Sequence, residues 1–182
     1  PTQGIEGMTQ FTVYMDNVRV PATEMIGEPD MGGMALFNSL NPERILAAAA
    51  ACGMAQNCIN KAVKYATERN IFGDRVIGSY QAISHPLAKS AIQLEASRLL
   101  TYKAAWAFDT DENPGIVGQY ANMAKYTAAE MVIEAVARSI QTHGGYGFSE
   151  AVSYTHTPLP TKQSTYYAAA AAAHKNTPTT AT

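Results

Sequence analysis

Apolar positions recur at helical spacing along three long stretches of the chain. The first leaves the turn segment "GEPDMGG" and runs to Asn70, with Leu36, Leu40, Ile45, Leu46, Ala49, Met54, Ile59, Val63 and Ala66 in phase. The second spans Tyr80 to Asp109 and carries Ile83, Leu87, Ile92, Leu94, Leu99, Leu100, Trp106 and Phe108, with Pro86 tolerable near its start. The third opens at Asn113, with Pro114 at the first helical position. It carries Met123, Ala124, Ala128, Met131, Ile133, Val136, Ala137 and Ile140, and stops at "HGGYG". Three helices of roughly thirty residues with short connections predict an antiparallel helical bundle, mostly α. Ahead of it, "FTVYMDNVRV" from Phe11 to Val20 is β-prone and closes at Pro21, which predicts a short N-terminal β remnant. Residues 151–182 contain no acids, many Thr and Pro, and the tract "YYAAAAAAH". They lack an amphipathic pattern, and a disordered or non-native tail is expected there. The organisation is thus 1–30 β-prone and linker, 31–150 helical, and 151–182 unpatterned.

Composition narrows the partners. At 182 residues the chain is long enough for one domain with a real core. A formal charge of −2 with 15% charged residues and no Lys/Arg cluster gives no footprint for nucleic acid. The longest apolar stretch, Ile45 to Gly53, is mostly alanine and too short to span a bilayer. Cys52 and Cys58 lie six apart on one predicted helix, on different faces, which fits a reducing compartment. No His or further Cys cluster accompanies them, so no metal site is expected. The start has neither an initiator Met nor a signal-peptide pattern, and the chain reads as a fragment.

The chemistry-bearing residues each have a plain structural reading beside a functional one. Glu43 and Arg44, after Asn41-Pro42 in "NPERILAAAAACG", could be an ordinary helix start in which the acid complements the dipole. Arg69, in "YATERNIFGDR", could serve the last carbonyls of a helix ended by Gly73. "QTHGGYG", Gln141 to Gly147, could be a helix stop with spare glycines, or a loop whose amides approach a phosphate closely. His85 and His143 have no acid or Ser in register and read as packing residues.

Taken in order, "LNPERI", "AxxYAxERxxFG", a Gln in "SYQAI", "HPLA" and "QTHGGYGF" resemble the C-terminal helical domain of the acyl-CoA dehydrogenase family. "FTVYMDNVRVPATEMIGE" is similar to that family's exit from its middle β-domain, so residues 1–30 correspond to the end of that domain and its linker. The resemblance covers Phe11 to Glu150.

It implies oxidation of an acyl-CoA thioester to the trans-2-enoyl-CoA, a glutamate removing the α-proton while FAD takes the β-hydride. Most members carry that glutamate in an "EGT" segment, absent here; in a minority it lies on the first long helix, one residue before an Arg, where Glu43 stands. An apolar pocket should surround it, with the following alanines keeping the wall low. Arg44 matches the Arg that contacts the pantetheine part of CoA, and Asn41 a turn neighbour in the same substrate segment. Arg69 matches the Arg that reaches the FAD pyrophosphate across a subunit interface, with Phe72 packing beside the cofactor and Gln81 bonding it. Gln141, Gly144 and Gly145 match the segment whose backbone meets the adenosine end of a partner subunit's FAD. A homo-oligomer, a dimer of dimers, is implied, with electron-transfer flavoprotein as acceptor and a cytoplasmic or mitochondrial-matrix location. An acyl-CoA oxidase or a non-catalytic helical assembly module of the same fold are the alternatives. The spacing from Phe72 to Gln81 is one residue longer than the family pattern, and the tail after "YGFSEA" departs from it altogether.

Overall fold

The computed structural model describes residues 9–110 and 112–148; the unpatterned stretch from Ala151 onward lies outside them. Three helices carry the fold: α1 (Gly32–Glu68), α2 (Gln81–Asp109) and α3 (Pro114–His143). Between α1 and α2 a short hairpin pairs β1 (Asn70–Ile71) with β2 (Arg75–Val76), antiparallel, with Asn70 opposite Val76 and Ile71 opposite Arg75. The mostly helical bundle with a small antiparallel β element is the one the pattern predicts, but the β element is this hairpin. Residues 9–20 carry no strand among the described residues and are exposed, since β-prone residues need a neighbouring ladder to become a strand.

The helix ends follow local chemistry. The Asn113 side chain accepts from the Gly115 amide at 2.8 Å with Pro114 at the first helical position, as the sequence predicts. α1 differs: it begins at Gly32, so Pro42 lies inside it and Glu43 is not a first-turn acid. The reading of Glu43 as a dipole partner therefore falls. Gly73 does not end α1 either; the helix stops at Glu68, and Gly73 sits at φ +97 in the hairpin turn.

Helix directions follow from paired residues. Along α1, Asn41 meets Gly118, Cys58 meets Ser139 and Tyr65 meets His143, so α3 runs parallel to α1. Gln56 meets Arg98 while Cys52 meets Thr101, so α2 runs antiparallel. The core is rich in small side chains, among them Ala48, Ala55 and Ala62 on α1, Ser90, Ser97 and Ala104 on α2 and Ala121, Ala124 and Ala128 on α3, with the larger Ile59, Leu87, Leu94, Met131 and Val132 between them. Many larger apolar residues that the periodicity suggested for the core, among them Leu46, Ile92, Leu99, Trp106, Met123 and Ile133, are exposed instead. Close approach of helix backbones selects the small residues of each amphipathic pattern for the inside. Of the large exposed ones, Ile92, Leu99 and Trp106 stand one heptad apart in a stripe on α2.

This packing makes Ala62, fully buried, sensitive to added volume. Ala62→Leu should destabilise the protein by about 1–3 kcal/mol in urea unfolding. Leu46→Ala, on the outside, should change it by less than about 0.5 kcal/mol.

Candidate functional site

The expected site residues divide between two ends of the bundle. Toward the beginning of α1, Asn41 is buried and lies inside the helix rather than in a turn, its amide packed against Gly118 of α3. Its Oδ1 accepts from Arg44 Nη1 at 3.4 Å, and the Arg44 guanidinium also lies 5.8 Å over the Phe37 ring. Arg44 is thus held from two sides by residues three and seven positions before it. Glu43 is exposed beside it. The same side of α1 continues with Leu46, Ala50 and Gly53, all exposed, and a Cβ added at Gly53 would meet no heavy atom within 4 Å. The alanine run is therefore split: Ala48 and Ala51 face the core, while Ala49 and Ala50 keep the outer wall low. The apolar pocket expected around Glu43 is not closed by the described residues.

At the other end of α1, three separate segments converge. Arg69 follows the last helical residue, its amide donating to the Tyr65 carbonyl and its own carbonyl accepting from Ile77, both at 2.9 Å. The Arg69 guanidinium is exposed and forms neither an ion pair nor a hydrogen bond with a described residue, so it does not serve the helix carbonyls as its position alone suggested. In the hairpin turn Phe72 has φ +50 and is 90% exposed, a conformation that holds an aromatic ring away from the chain's own core. Gln81 is the first residue of α2, exposed, and is joined to the hairpin by the short 3-10 turn Ile77–Ser79 and Tyr80. Ala62, Ala66, Ile77 and Leu87 form the apolar cluster under this end, with Tyr65, Ile71 and Ile83 packed on it. Gly78 presses so near α1 that a Cβ would stand 2.9 Å from the Ala66 carbonyl.

The glycine segment completes this end. Gln141 is exposed in the last turn of α3, and its carbonyl accepts from the Gly144 amide. Gly144 leaves the helix at φ +59 and ψ −132, a conformation that suits glycine. Gly145 is exposed, and a Cβ there would meet nothing within 4 Å, so nothing within the described residues demands its small size. Gly147 is different: a Cβ would sit 2.7 Å from the Ile140 carbonyl oxygen. That requirement was not visible in the sequence, where Gly147 looked like one more spare glycine. Of the two histidines, His143 is buried as expected, whereas His85 is exposed and packs nothing away.

A groove of about 320 Å³ between α1 and α2 is lined by Ala49, Cys52, Gly53, Gln56, Arg98 and Tyr102. Arg98 bridges Glu95, three residues back, and the Gln56 carbonyl across the groove, an arrangement the sequence signalled only through the Glu-to-Arg spacing. Burial pushes the Cys52 thiol up from its ordinary range, with Thr101 and the Arg98 charge pulling the other way. It stays a neutral thiol at neutral pH, and both cysteines are unbridged and buried on different faces of α1.

This architecture matches known proteins. The C-terminal domain of acyl-CoA dehydrogenases matches residues 31–160. The chain belongs to the acyl-CoA dehydrogenase family. It is 41% identical over 141 residues to the acyl-CoA dehydrogenase FadE12 of Mycobacterium tuberculosis, covering 78% of this chain and 36% of that protein. It is 37% identical over 145 residues to the caffeyl-CoA reductase-Etf complex subunit CarC of Acetobacterium woodii, covering 80% of this chain and 37% of the relative. Among solved structures, a glutaryl-coenzyme A dehydrogenase complex with glutaryl-CoA superposes with a TM-score of 0.69 at 38% identity, over 82% of this chain and 38% of that one. The chain thus spans little more than a third of the length of these relatives.

Proposed function

We propose that the full-length protein is an FAD-dependent acyl-CoA dehydrogenase that oxidises an acyl-CoA thioester to the trans-2-enoyl-CoA, and that this chain is its C-terminal helical domain, inactive alone. The observation that carries the reading is the sorting of site residues along α1. Glu43, Arg44 and Asn41 stand toward one end; Arg69, Phe72, Gln81, Gln141, Gly144 and Gly145 gather at the other. Glu43 and Arg69 are 26 residues apart on or beside one helix, about 39 Å at 1.5 Å per residue. That span exceeds one FAD molecule, so a chain whose Glu43 faces one flavin must offer its Arg69 to another. The arrangement supports a homo-oligomer, a dimer of dimers, in which each flavin draws on two subunits. The exposed Ile92, Leu99 and Trp106 stripe supplies apolar surface for such contacts.

The residues present fit the cofactor. A guanidinium that pairs with no described residue, an exposed aromatic ring and two open glycines stand at one end of the bundle, the donor set that a dinucleotide's phosphates and adenosine require. When bound, FAD supplies the two-electron acceptor for the substrate's β-hydrogen. The chain's own work is different. Glu43 takes the α-proton onto its carboxylate, Arg44 orients the thioester's CoA arm, and Asn41 holds Arg44 in place. Residues beyond the described ones must cover Glu43 and exclude water.

CarC is by name part of an Etf complex, which favours electron-transfer flavoprotein as the acceptor here. The unbridged cysteines agree with a reducing compartment, the cytoplasm or a mitochondrial matrix. The test is anaerobic titration of the full-length holoprotein with a panel of acyl-CoAs. Loss of the oxidised-flavin absorbance with at least one thioester is the expected result. A flavin that binds but stays oxidised with every thioester would favour a non-catalytic assembly module, and rapid oxygen consumption with substrate would favour an oxidase.

A further inference from the structure

We infer that Tyr65 and His143 are positioning residues that fix the register between Arg69 and the glycine turn, so that both meet one dinucleotide together. The inference rests on the reading above, that this end of the bundle binds FAD.

His143, in the last turn of α3, is buried, with Nδ1 2.8 Å from the Ser139 carbonyl. A carbonyl can only accept, so Nδ1 carries the proton and donates, which fixes the ring's orientation. That ring lies against Tyr65 of α1, centroids 4.6 Å apart and planes tilted by 31°. Tyr65 has a second ring neighbour in Tyr146, at 6.5 Å, on the far side of the glycine pair. One turn earlier the buried Ser139 hydroxyl donates to the Cys58 carbonyl at 3.0 Å, so the end of α3 is tied to α1 twice.

Tyr65 joins the two halves of the site. Its ring holds His143 and Tyr146, while its carbonyl accepts from the Arg69 amide. The glycine turn starts one residue after His143 and is held at its exit by Gly147 against Ile140. Between those fixed points only Gly144 and Gly145 are left open. A shift of His143 relative to Tyr65 would therefore move the glycine amides relative to Arg69, and a phosphate contact tolerates little displacement.

The experiment measures the FAD dissociation constant by fluorescence titration of the full-length apoprotein. It compares wild type with Tyr65→Leu, His143→Leu, the double variant, and Tyr65→Phe. A stacked aromatic pair corresponds to a change of up to about tenfold in an equilibrium constant. Each Leu variant should weaken FAD binding by about 3- to 10-fold, the double variant no more than the worse single one. Tyr65→Phe should bind as wild type does. At saturating FAD, kcat should stay within about twofold, because neither ring touches substrate. If a Leu variant fails to fold, His143→Asn, which keeps a donor for Ser139 and removes the ring, should show the same loss. Unchanged affinity in the ring-deleted variants, additive losses, or an equal loss in Tyr65→Phe overturns the inference. Should wild type bind no FAD while folded, the functional reading itself fails; should Arg69→Ala weaken FAD binding while the Tyr65 and His143 variants do not, only the positioning role fails.

Discussion

Glu43→Gln in the full-length protein should bind FAD and acyl-CoA normally and lose flavin reduction by about 10²- to 10⁴-fold, the range a positioned general base contributes. The substitution keeps the side chain's size and removes its capacity to take a proton. Its neighbours argue for a functional rather than a structural carboxylate. Glu43 lies eleven residues past the first residue of α1 and so contributes nothing to that helix's dipole. It is exposed, while Arg44 beside it is engaged by Asn41 and Phe37. Removing an exposed acid that has no partner among the described residues should leave folding unchanged, so the variant's melting temperature should match wild type. Anaerobic stopped-flow bleaching measures the effect. Bleaching at a near wild-type rate would mean that the base lies in a segment outside this chain.

The three helices were legible because their periodic apolar positions and the Asn113-Pro114 cap are local signals, and local signals survive without tertiary context. Which apolar positions face inward was not. Periodicity marks a face as apolar, but Leu46 and Ala48 count alike, and only the approach distance of neighbouring helices decides that Ala48 goes inside. The plain reading of Asn41-Pro42-Glu43 as a helix start fell for a related reason, although the apolar pattern itself already set the start of α1 just after "GEPDMGG". Asn41-Pro42-Glu43 has every mark of a helix beginning, yet ten residues of helix precede Asn41's own carbonyl neighbour Pro42, and the packing of Asn41 on Gly118 holds that segment in place. The candidate site residues were picked out by a motif order, which carries no geometry. Arg69 and Gly144 are 75 positions apart, and their shared end of the bundle emerges only once α3 is seen to run parallel to α1. His143 looked like packing, and it is; the Tyr65 contact that links that packing to Arg69 depends on two helices meeting and has no sequence spacing of its own.

Arg69→Lys should weaken FAD binding by about 10- to 100-fold, corresponding to the 1.5–3 kcal/mol of one lost charge-assisted hydrogen bond. Lysine keeps the charge, so the prediction isolates geometry from electrostatics. A guanidinium presents paired N–H groups in one plane to two phosphate oxygens, whereas an ammonium meets them as a point charge. The backbone around position 69 should not respond, because its two hydrogen bonds, to Tyr65 and from Ile77, involve main-chain atoms alone. The contrast with Glu43 is the useful part. If α1 serves two flavins, Arg69→Lys should raise the FAD dissociation constant and leave the bleaching rate of saturated enzyme within about twofold, while Glu43→Gln does the reverse. Mixing inactive Glu43→Gln subunits with FAD-deficient Arg69→Ala subunits carries the argument further. A hybrid dimer would contain one flavin site with an intact Glu43 and an intact partner Arg69, and bleaching should return in up to half of its sites. No recovery in demonstrably mixed dimers would mean that both residues serve the same flavin from one chain, against the length of α1.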